Sequence, residues 1–344
     1  MRTRWIVAVF ALILVPLPAL AARLTETGST LLYPLITQWA AAYGKQHTEL
    51  EITTAATGSG AGIAGAGDGT TILGASDAYL TPAQRARGLV NIPLAISGQH
   101  IAYNLPGVAH LRLTAEVLAH IYSGAITTWN DPRIAAINPG TALPNLRIIP
   151  IHRSEGSGDT FLFTEFLVKA GEGAWNAGSG TRITWPDVPG AQSARGNSGL
   201  LELVHAVPAS IGYVGVSYLA QTRADGLGVA ALRNRAGIFV EPDAAGMLAA
   251  AQAAGKLPPD GGASLIDERG AHTYPIANYE YAVVREHQAD DETATDVRNF
   301  LLWVIDPSGG NAEAMLGPVH FASLPHSARA VSMALITRIT GPAR

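Results

Sequence analysis

The sequence predicts an α/β fold with mostly parallel strands. Short apolar, β-branched runs alternate with helix-periodic runs from Leu24 to the C-terminus. Gly/Ser turns follow several of the strand candidates, at the sheet edge where open α/β sheets bind ligands. The composition, 48% hydrophobic and 15% charged over 344 residues, is that of a globular chain long enough for two cores and excludes a disordered one.

The elements follow in order. Leu31 to Tyr43 places Leu31, Leu32, Leu35, Ile36, Trp39, Ala40 and Tyr43 on one helical face. Leu50 to Ala55 and Ile72 to Ala75 read as strands. Thr81-Pro82 opens a helix, with Thr as N-cap and Pro at the first helical position. Val90 to Ile96 and His100 to Asn104 read as two strands. Thr114 caps a helix running to about Tyr122, and Asn138-Pro139-Gly140 is a turn. Ile148 to Ile151 is a strand followed by an amphipathic run from Phe161. Further on come a strand at Ile211 to Val216, an alanine-rich helix at Pro242 to Ala254 and a strand at Glu280 to Val284. Helices at Asp296 to Ile305 and Ala328 to Ile339 complete the chain. There is no repeat of solenoid type.

The N-terminus reads as a secretory signal over residues 1–21. Arg2 and Arg4 precede an apolar run from Trp5 to Val15, and Ala19-Leu20-Ala21 is a small-x-small cleavage site. Removing the two arginines takes the net charge from −4 to −6. No basic stripe exists, so nucleic acid is not an expected partner. The absence of cysteine removes disulfides, thiolate metal sites, a cysteine nucleophile and a lipid-modified N-terminal cysteine. The expectation is an exported protein that is not anchored.

Four turns carry the chemistry. His152-Arg153-Ser154-Glu155-Gly156-Ser157-Gly158-Asp159-Thr160 joins a strand to a helix. The first N–H groups of a helix lack internal partners and point at whatever sits there, and the macrodipole favours negative charge. Ser157 adds a hydroxyl donor, and Arg153 adds a fork that matches a tetrahedral oxyanion. The same stretch also fits an N-capped helix with a surface arginine, and alone it does not separate the two. Glu26-Thr27-Gly28-Ser29-Thr30-Leu31, Thr57-Gly58-Ser59-Gly60-Ala61-Gly62 and Gly74-Ala75-Ser76-Asp77 also end strands. One such turn means little, whereas four on one edge are hard to explain as turn chemistry alone.

Gly60-Ala61-Gly62-Ile63-Ala64-Gly65 fits the dinucleotide pattern G-x-G-x-x-G. Its nearest acidic candidate, Asp77, comes too early for a ribose contact, so a simple oxyanion turn is preferred. There is no G-x-S-x-G, P-loop or H-E-x-x-H, and the ten histidines lack ligand spacing. His152 reads as a structural or surface neighbour of Arg153, and Glu155 and Asp159 as caps or partners of that arginine.

Together these segments resemble the periplasmic phosphate-binding proteins of the Pst-type ABC transporter, the PstS family. The resemblance also rests on Asn104-Leu105-Pro106-Gly107, Ile121-Tyr122-Ser123-Gly124, Trp129-Asn130-Asp131, Gly196-Asn197-Ser198-Gly199 and Ile211-Gly212-Tyr213-Val214. It implies a two-lobed periplasmic-binding-protein fold (type II-like), with residues 22–98 and 276–344 in one lobe and 99–275 in the other. The crossings would fall near Ile96 to Ala102 and Ala271 to Ile276. It implies inorganic phosphate as ligand, a membrane-embedded ABC permease as partner, no cofactor, no metal, no catalysis and a monomer. Matched residue by residue, the phosphate ligands would be Thr30, Leu31 through its N–H, Ser59, Asp77 as acceptor of a phosphate proton, Arg153, Ser157, Gly158 and Asp159. Glu155 would partner Arg153. Glu155 stands where Asp is commoner, and Asp159 where many members have Thr. An ionised Asp159 cannot donate and must accept a phosphate proton or turn away. The competing readings are a binder of another tetrahedral oxyanion, such as sulfate or molybdate, and an exported phosphate-ester hydrolase. A structural or adhesive exported protein would leave the four turns without a purpose.

Overall fold

The computed structural model describes residues 22–342; the signal-peptide reading lies outside the described residues. Its main sheet runs in the order β2-β1-β3-β13-β4-β8-β6-β7. These strands are β1 (Ala22–Gly28), β2 (Leu50–Thr53), β3 (Leu73–Ser76), β4 (Leu89–Tyr103), β6 (Ile149–Arg153), β7 (Gln192–Ala194), β8 (Ser210–Gly215) and β13 (Ile276–Arg285). β9 (Gly228–Val229) pairs with β4, and β12 (Leu265–Ile266) with β13. A small second sheet joins β5 (Arg112–Leu113), β10 (Ala231–Arg233) and β11 (Phe239–Val240). The flanks are parallel, β1 with β2 and β3, and β6 with β7 and β8. The centre is antiparallel, because β13 runs against both β3 and β4, and β4 against β8.

The two strands expected at Val90 to Ile96 and His100 to Asn104 are one strand, β4, buried along its length. Ser97-Gly98-Gln99 reads as a break in sequence. In the fold, Gly98 instead lets neighbouring backbone come close: a Cβ there would stand 2.5 Å from the Ile276 carbonyl and 2.8 Å from the Met247 sulfur. β13 pairs with β4 from Leu89 to Gly98, whereas β8 pairs with it from Gln99 to Tyr103. A single strand therefore belongs to both halves of the sheet.

The helices are α1 (Tyr33–Gly44), α2 (Ser59–Asp68), α3 (Pro82–Arg85), α4 (Ala115–Tyr122), α5 (Pro132–Ile137) and α6 (Gly158–Ala170). They continue with α7 (Gly196–Ala206), α8 (Leu219–Ala224), α9 (Ala244–Ala254), α10 (Asp291–Val304), α11 (Glu313–Leu316) and α12 (His326–Ile336). Thr81 closes a capping box with Gln84 ahead of α3, and Thr114 caps α4, as their sequences dictate. α10 begins earlier than its apolar period suggests, because Asp290 caps it through the Thr293 N–H (2.6 Å).

The dinucleotide-like glycines lie in α2, where they serve packing. A Cβ on Gly62 would stand 2.5 Å from the Ala75 carbonyl and 2.8 Å from that of Thr27, so the helix lies tight on β1 and β3. One continuous apolar core fills both halves. Trp39, Tyr281 and Phe300 anchor it on one side, and Trp129, Phe163 and Tyr213 on the other.

Candidate functional site

The loop after β1 is forced flat against β3. Gly28 has φ +146°, and a Cβ there would stand 2.0 Å from the Ala75 carbonyl. Ser29 follows, donating its N–H to that carbonyl (2.9 Å). The Ser29 hydroxyl accepts the N–H groups of Leu31 (3.1 Å) and Leu32 (2.9 Å), turning the chain into α1, and donates to the Asp77 carboxylate. At the start of α2, the Ser59 hydroxyl lies 3.2 Å from Asp77 Oδ2 and accepts the Asp77 N–H (3.1 Å). Three strand-ending turns thus converge on one carboxylate.

The other half supplies a cation. Arg153 ends β6 with its side chain fully buried. Its Nε donates to Glu155 Oε1 (2.8 Å), Nη2 to the same oxygen and to Thr30 Oγ1 (3.0 Å), and Nη1 to Asp159 Oδ2. The Arg153 N–H is held by the Tyr213 hydroxyl (2.9 Å), which also meets the Thr160 hydroxyl (2.8 Å). Asp159 further accepts Gln99 Nε2 (3.2 Å) and Asn197 Nδ2 (2.8 Å). Asn197 reaches Thr30 Oγ1 as well (2.9 Å).

Contacts bridge the two halves directly. The Gly60 N–H donates to the Gly156 carbonyl (3.0 Å), and Ser217 Oγ to the Leu31 carbonyl (2.7 Å). A Cβ on Gly158 would stand 2.3 Å from Asp77 Oδ2 and 2.5 Å from Ser59 Oγ, so α6 starts against the other half's carboxylate.

The structure thus brings Thr30, Ser59, Asp77, Arg153, Glu155, Ser157, Gly158 and Asp159 into one buried cluster. Leu31 departs from expectation: its N–H is taken by Ser29, a cap the sequence reading did not assign. The N–H groups of Thr30, Ser59, Gly158 and Asp159 have no acceptor among the described residues. The Ser157 N–H goes to the Thr181 carbonyl (2.8 Å), while its hydroxyl accepts the Thr160 N–H (3.4 Å) and keeps a proton to donate. The Thr30 hydroxyl, accepting from Arg153 and Asn197, also keeps its proton to donate. His152 is half-buried and stacks on Trp185 (4.7 Å), and burial lowers its pKa.

Sequence reasoning missed Ser29, Gln99, Asn197, Tyr213 and Glu280. Glu280 did carry a signal, a carboxylate inside the mostly apolar Ile276–Arg285 strand, fully buried near Asp77. Burial raises the pKa of Asp77, against the pull of Ser29, Ser59 and Arg153. Burial also pushes Asp159 up to about 6, with Arg153 opposing and Asp77 adding to the rise. Glu280 is also held well above the usual carboxylate range, by burial and then by Asp77. Glu155 stays below the usual range: burial works to raise it, and Arg153 outweighs that. The result is a cation held by two carboxylates, beside a second pair of carboxyl groups that cannot both ionise cheaply. Such an arrangement can accept protons from a ligand while hydroxyls and helix-start N–H groups donate to it. Among the described residues, no cluster of three His, Asp or Glu has the geometry to hold a metal ion.

A family model described as a PBP superfamily domain matches residues 18–308. The phosphate-binding protein PstS of Xylella fastidiosa is 33% identical over 308 residues, covering 88% of this chain and 82% of that one. The PstS of Pasteurella multocida is 35% identical over 288 residues, covering 82% of each. The chain belongs to the PstS family. A periplasmic phosphate-binding protein solved with phosphate, PfluDING, superposes with a TM-score of 0.73 at 23% identity, covering 91% of this chain and 93% of that one. That likeness establishes the periplasmic-binding-protein fold for this PstS-family chain. No helix among its described residues is long and apolar enough to cross a membrane.

Proposed function

We propose that the chain binds inorganic phosphate between its two halves and delivers it to a membrane-embedded ABC permease. The observation that carries this reading is the buried Asp77. A carboxylate facing free N–H groups at the starts of helices suits an oxyanion that still carries a proton. Phosphate near neutral pH keeps at least one proton and sulfate keeps none. The same point disfavours sulfate and molybdate as ligands. The curated relatives named as phosphate-binding proteins support the reading.

In this reading Thr30 and Ser157 donate through their hydroxyls, and Ser59 donates through its N–H and helps hold Asp77. Gly158 and Asp159 donate through their N–H groups, Arg153 supplies the cation and Glu155 holds it. Leu31 serves by shape, since its N–H is committed to Ser29. Asp159 is a second acceptor, so the site takes phosphate with one proton or two. Each hydrogen bond to a charged ligand contributes about 1.5–3 kcal/mol. Micromolar affinity needs only about 8 kcal/mol, so a few aligned bonds suffice after closure and desolvation costs.

The lobes of this reading are residues 22–98 with 276–344, and 99–275. Hinge motion would be absorbed where β4 passes from β13 to β8, near Gly98. The protein would be exported to the periplasm without a lipid anchor and would act as a monomer, with no catalytic role. The test is calorimetric titration of phosphate, with sulfate in parallel, into protein stripped of ligand by unfolding and refolding. Tight one-to-one phosphate binding with silent sulfate is expected. No heat from either ion would overturn the assignment.

A further inference from the structure

Glu280 is the one carboxyl in the cluster to which the proposed phosphate site gives no task. It comes from β13, and its side chain is fully buried. Its Oε1 accepts from the Ser97 hydroxyl on β4 and, more distantly, from Asn278 Nδ2 (3.4 Å). Its Oε2 has no donor among the described residues, and Glu280 stands beside Asp77, because β13 pairs Tyr281 with Ser76 and both carboxyl groups are buried there. Asn278 in turn ties the Asp77 carbonyl (2.8 Å), which sets the two carboxyl groups against each other.

Two carboxyl groups buried this close together share one proton, because an anion–anion contact in a water-free place is strongly unfavourable. The surroundings decide which one holds it. Asp77 receives the Ser29 and Ser59 hydroxyls and lies in the field of Arg153 on β6. Glu280 has only Ser97 and Asn278 as donors, and it faces two acidic neighbours, Asp77 and, on α6, Asp159. The proton therefore belongs on Glu280, and Asp77 is the anion that accepts it.

Resting on the phosphate reading, we propose that Glu280 is a positioning residue that donates a carboxyl proton to Asp77, holding it ionised and aimed so that the site rejects oxyanions without a proton. Protonated Glu280 occupies one lone pair of Asp77 and stabilises its charge, leaving the other oxygen's remaining lone pairs to meet the ligand. Being neutral, Glu280 adds no repulsion against a phosphate dianion. Without this donor, Asp77 would take up a proton more readily, and a protonated Asp77 could itself donate to sulfate.

The experiment titrates inorganic phosphate and sulfate into the full chain and into Glu280→Gln and Glu280→Leu, at pH 7.5 by calorimetry, with thermal unfolding as a check of folding. Gln mimics the neutral donor. Its phosphate affinity should stay within about fivefold of wild type, and sulfate should remain silent. Leu should lose at least tenfold of the phosphate-over-sulfate ratio, with the Gln variant rescuing it. A Gln variant more than tenfold tighter for phosphate would mean that Glu280 is an anion, and would overturn the proposal. So would any loss beyond fivefold in the Gln variant, or a Leu variant that discriminates like wild type. If Leu fails to fold, the Gln affinity decides alone. If the wild-type chain binds neither ion, the phosphate reading itself has failed. If the wild type binds phosphate and excludes sulfate, only the role of Glu280 is at stake.

Discussion

Gly158→Ala offers a sharp probe of closure. The added methyl would stand 2.3 Å from Asp77 Oδ2 and 2.5 Å from Ser59 Oγ, roughly 1 Å inside a normal contact at each. Neither neighbour is free to retreat: Ser59 opens α2, and Asp77 is held by Ser29 and Ser59. Overpacking of this kind costs about 1–3 kcal/mol. The cost falls on bringing the two halves together, because the colliding groups come from opposite halves of the sheet. In the phosphate reading affinity should drop by about 5-fold to 150-fold. With the halves apart, as that reading has them before the ligand binds, the fold should not suffer, since Ala at the first position of a helix is at least as favourable as Gly. Calorimetry with phosphate, paired with thermal unfolding in its absence, separates the two effects. A variant that binds phosphate within twofold of wild type would refute the reasoning, as would one that loses unliganded stability in proportion to its affinity.

Other outcomes follow from the same geometry. In Asp77→Ala, sulfate should gain affinity relative to phosphate. Two unit charges ~3 Å apart repel by about 5 kcal/mol at an effective dielectric near 20, and half of that is on the order of 50-fold; competition of labelled phosphate by sulfate reads it. Glu26 is buried in β1 with Oε2 unpartnered, and burial raises its pKa from 4.5 to about 8. The folded state keeps a proton that the unfolded chain releases, so this group's stability contribution is fully present below pH 4.5 and is lost as pH rises to about 8. Glu26→Gln should flatten that loss, by at most about 5 kcal/mol at pH 8, in denaturant melts run across this range. Arg182 and Arg195 are exposed beside Glu155 and Gly156 and line a depression of about 410 Å³ at the mouth of the cluster. Replacing both with Ala should slow phosphate association several-fold at low salt and leave dissociation unchanged, a difference that stopped-flow traces at high salt should erase.

Much of this was legible in the sequence because it is local. Thr114 and Thr81-Pro82 announce their helices through capping, which needs only a few consecutive residues. The Gly/Ser turns announced themselves in the same way, and a shared sheet edge then brought Thr30, Ser59, Asp77 and Arg153 together. What stayed hidden was pairing at a distance. The Leu31 N–H was expected to face the ligand, but Ser29 captures it, and nothing in the order of these residues says which hydroxyl caps the turn. Gln99 and Asn197 reach Asp159 from a strand and a helix that lie far from it in sequence. Tyr213 read as a strand residue, although its hydroxyl steadies the Arg153 backbone. The continuity of β4 was hidden for a related reason: Gly98 looks like a breaker until the Ile276 carbonyl is seen beside it.

The position of β13 in the sheet bears on how the chain comes to be folded at all. The last strand in the sequence lies between β3 and β4, and it supplies the pairing that joins them. Until residue 285 has been made, the half that holds Ser29, Ser59 and Asp77 lacks its central strand, and its apolar faces have nothing to close against. Such long-range pairing is slow to form, because the loop it closes spans most of the chain. That half of the nascent chain cannot complete its sheet until late in synthesis. It therefore stays threadable for any translocation machinery, and until it closes, its incomplete sheet is open to meeting that of a neighbour.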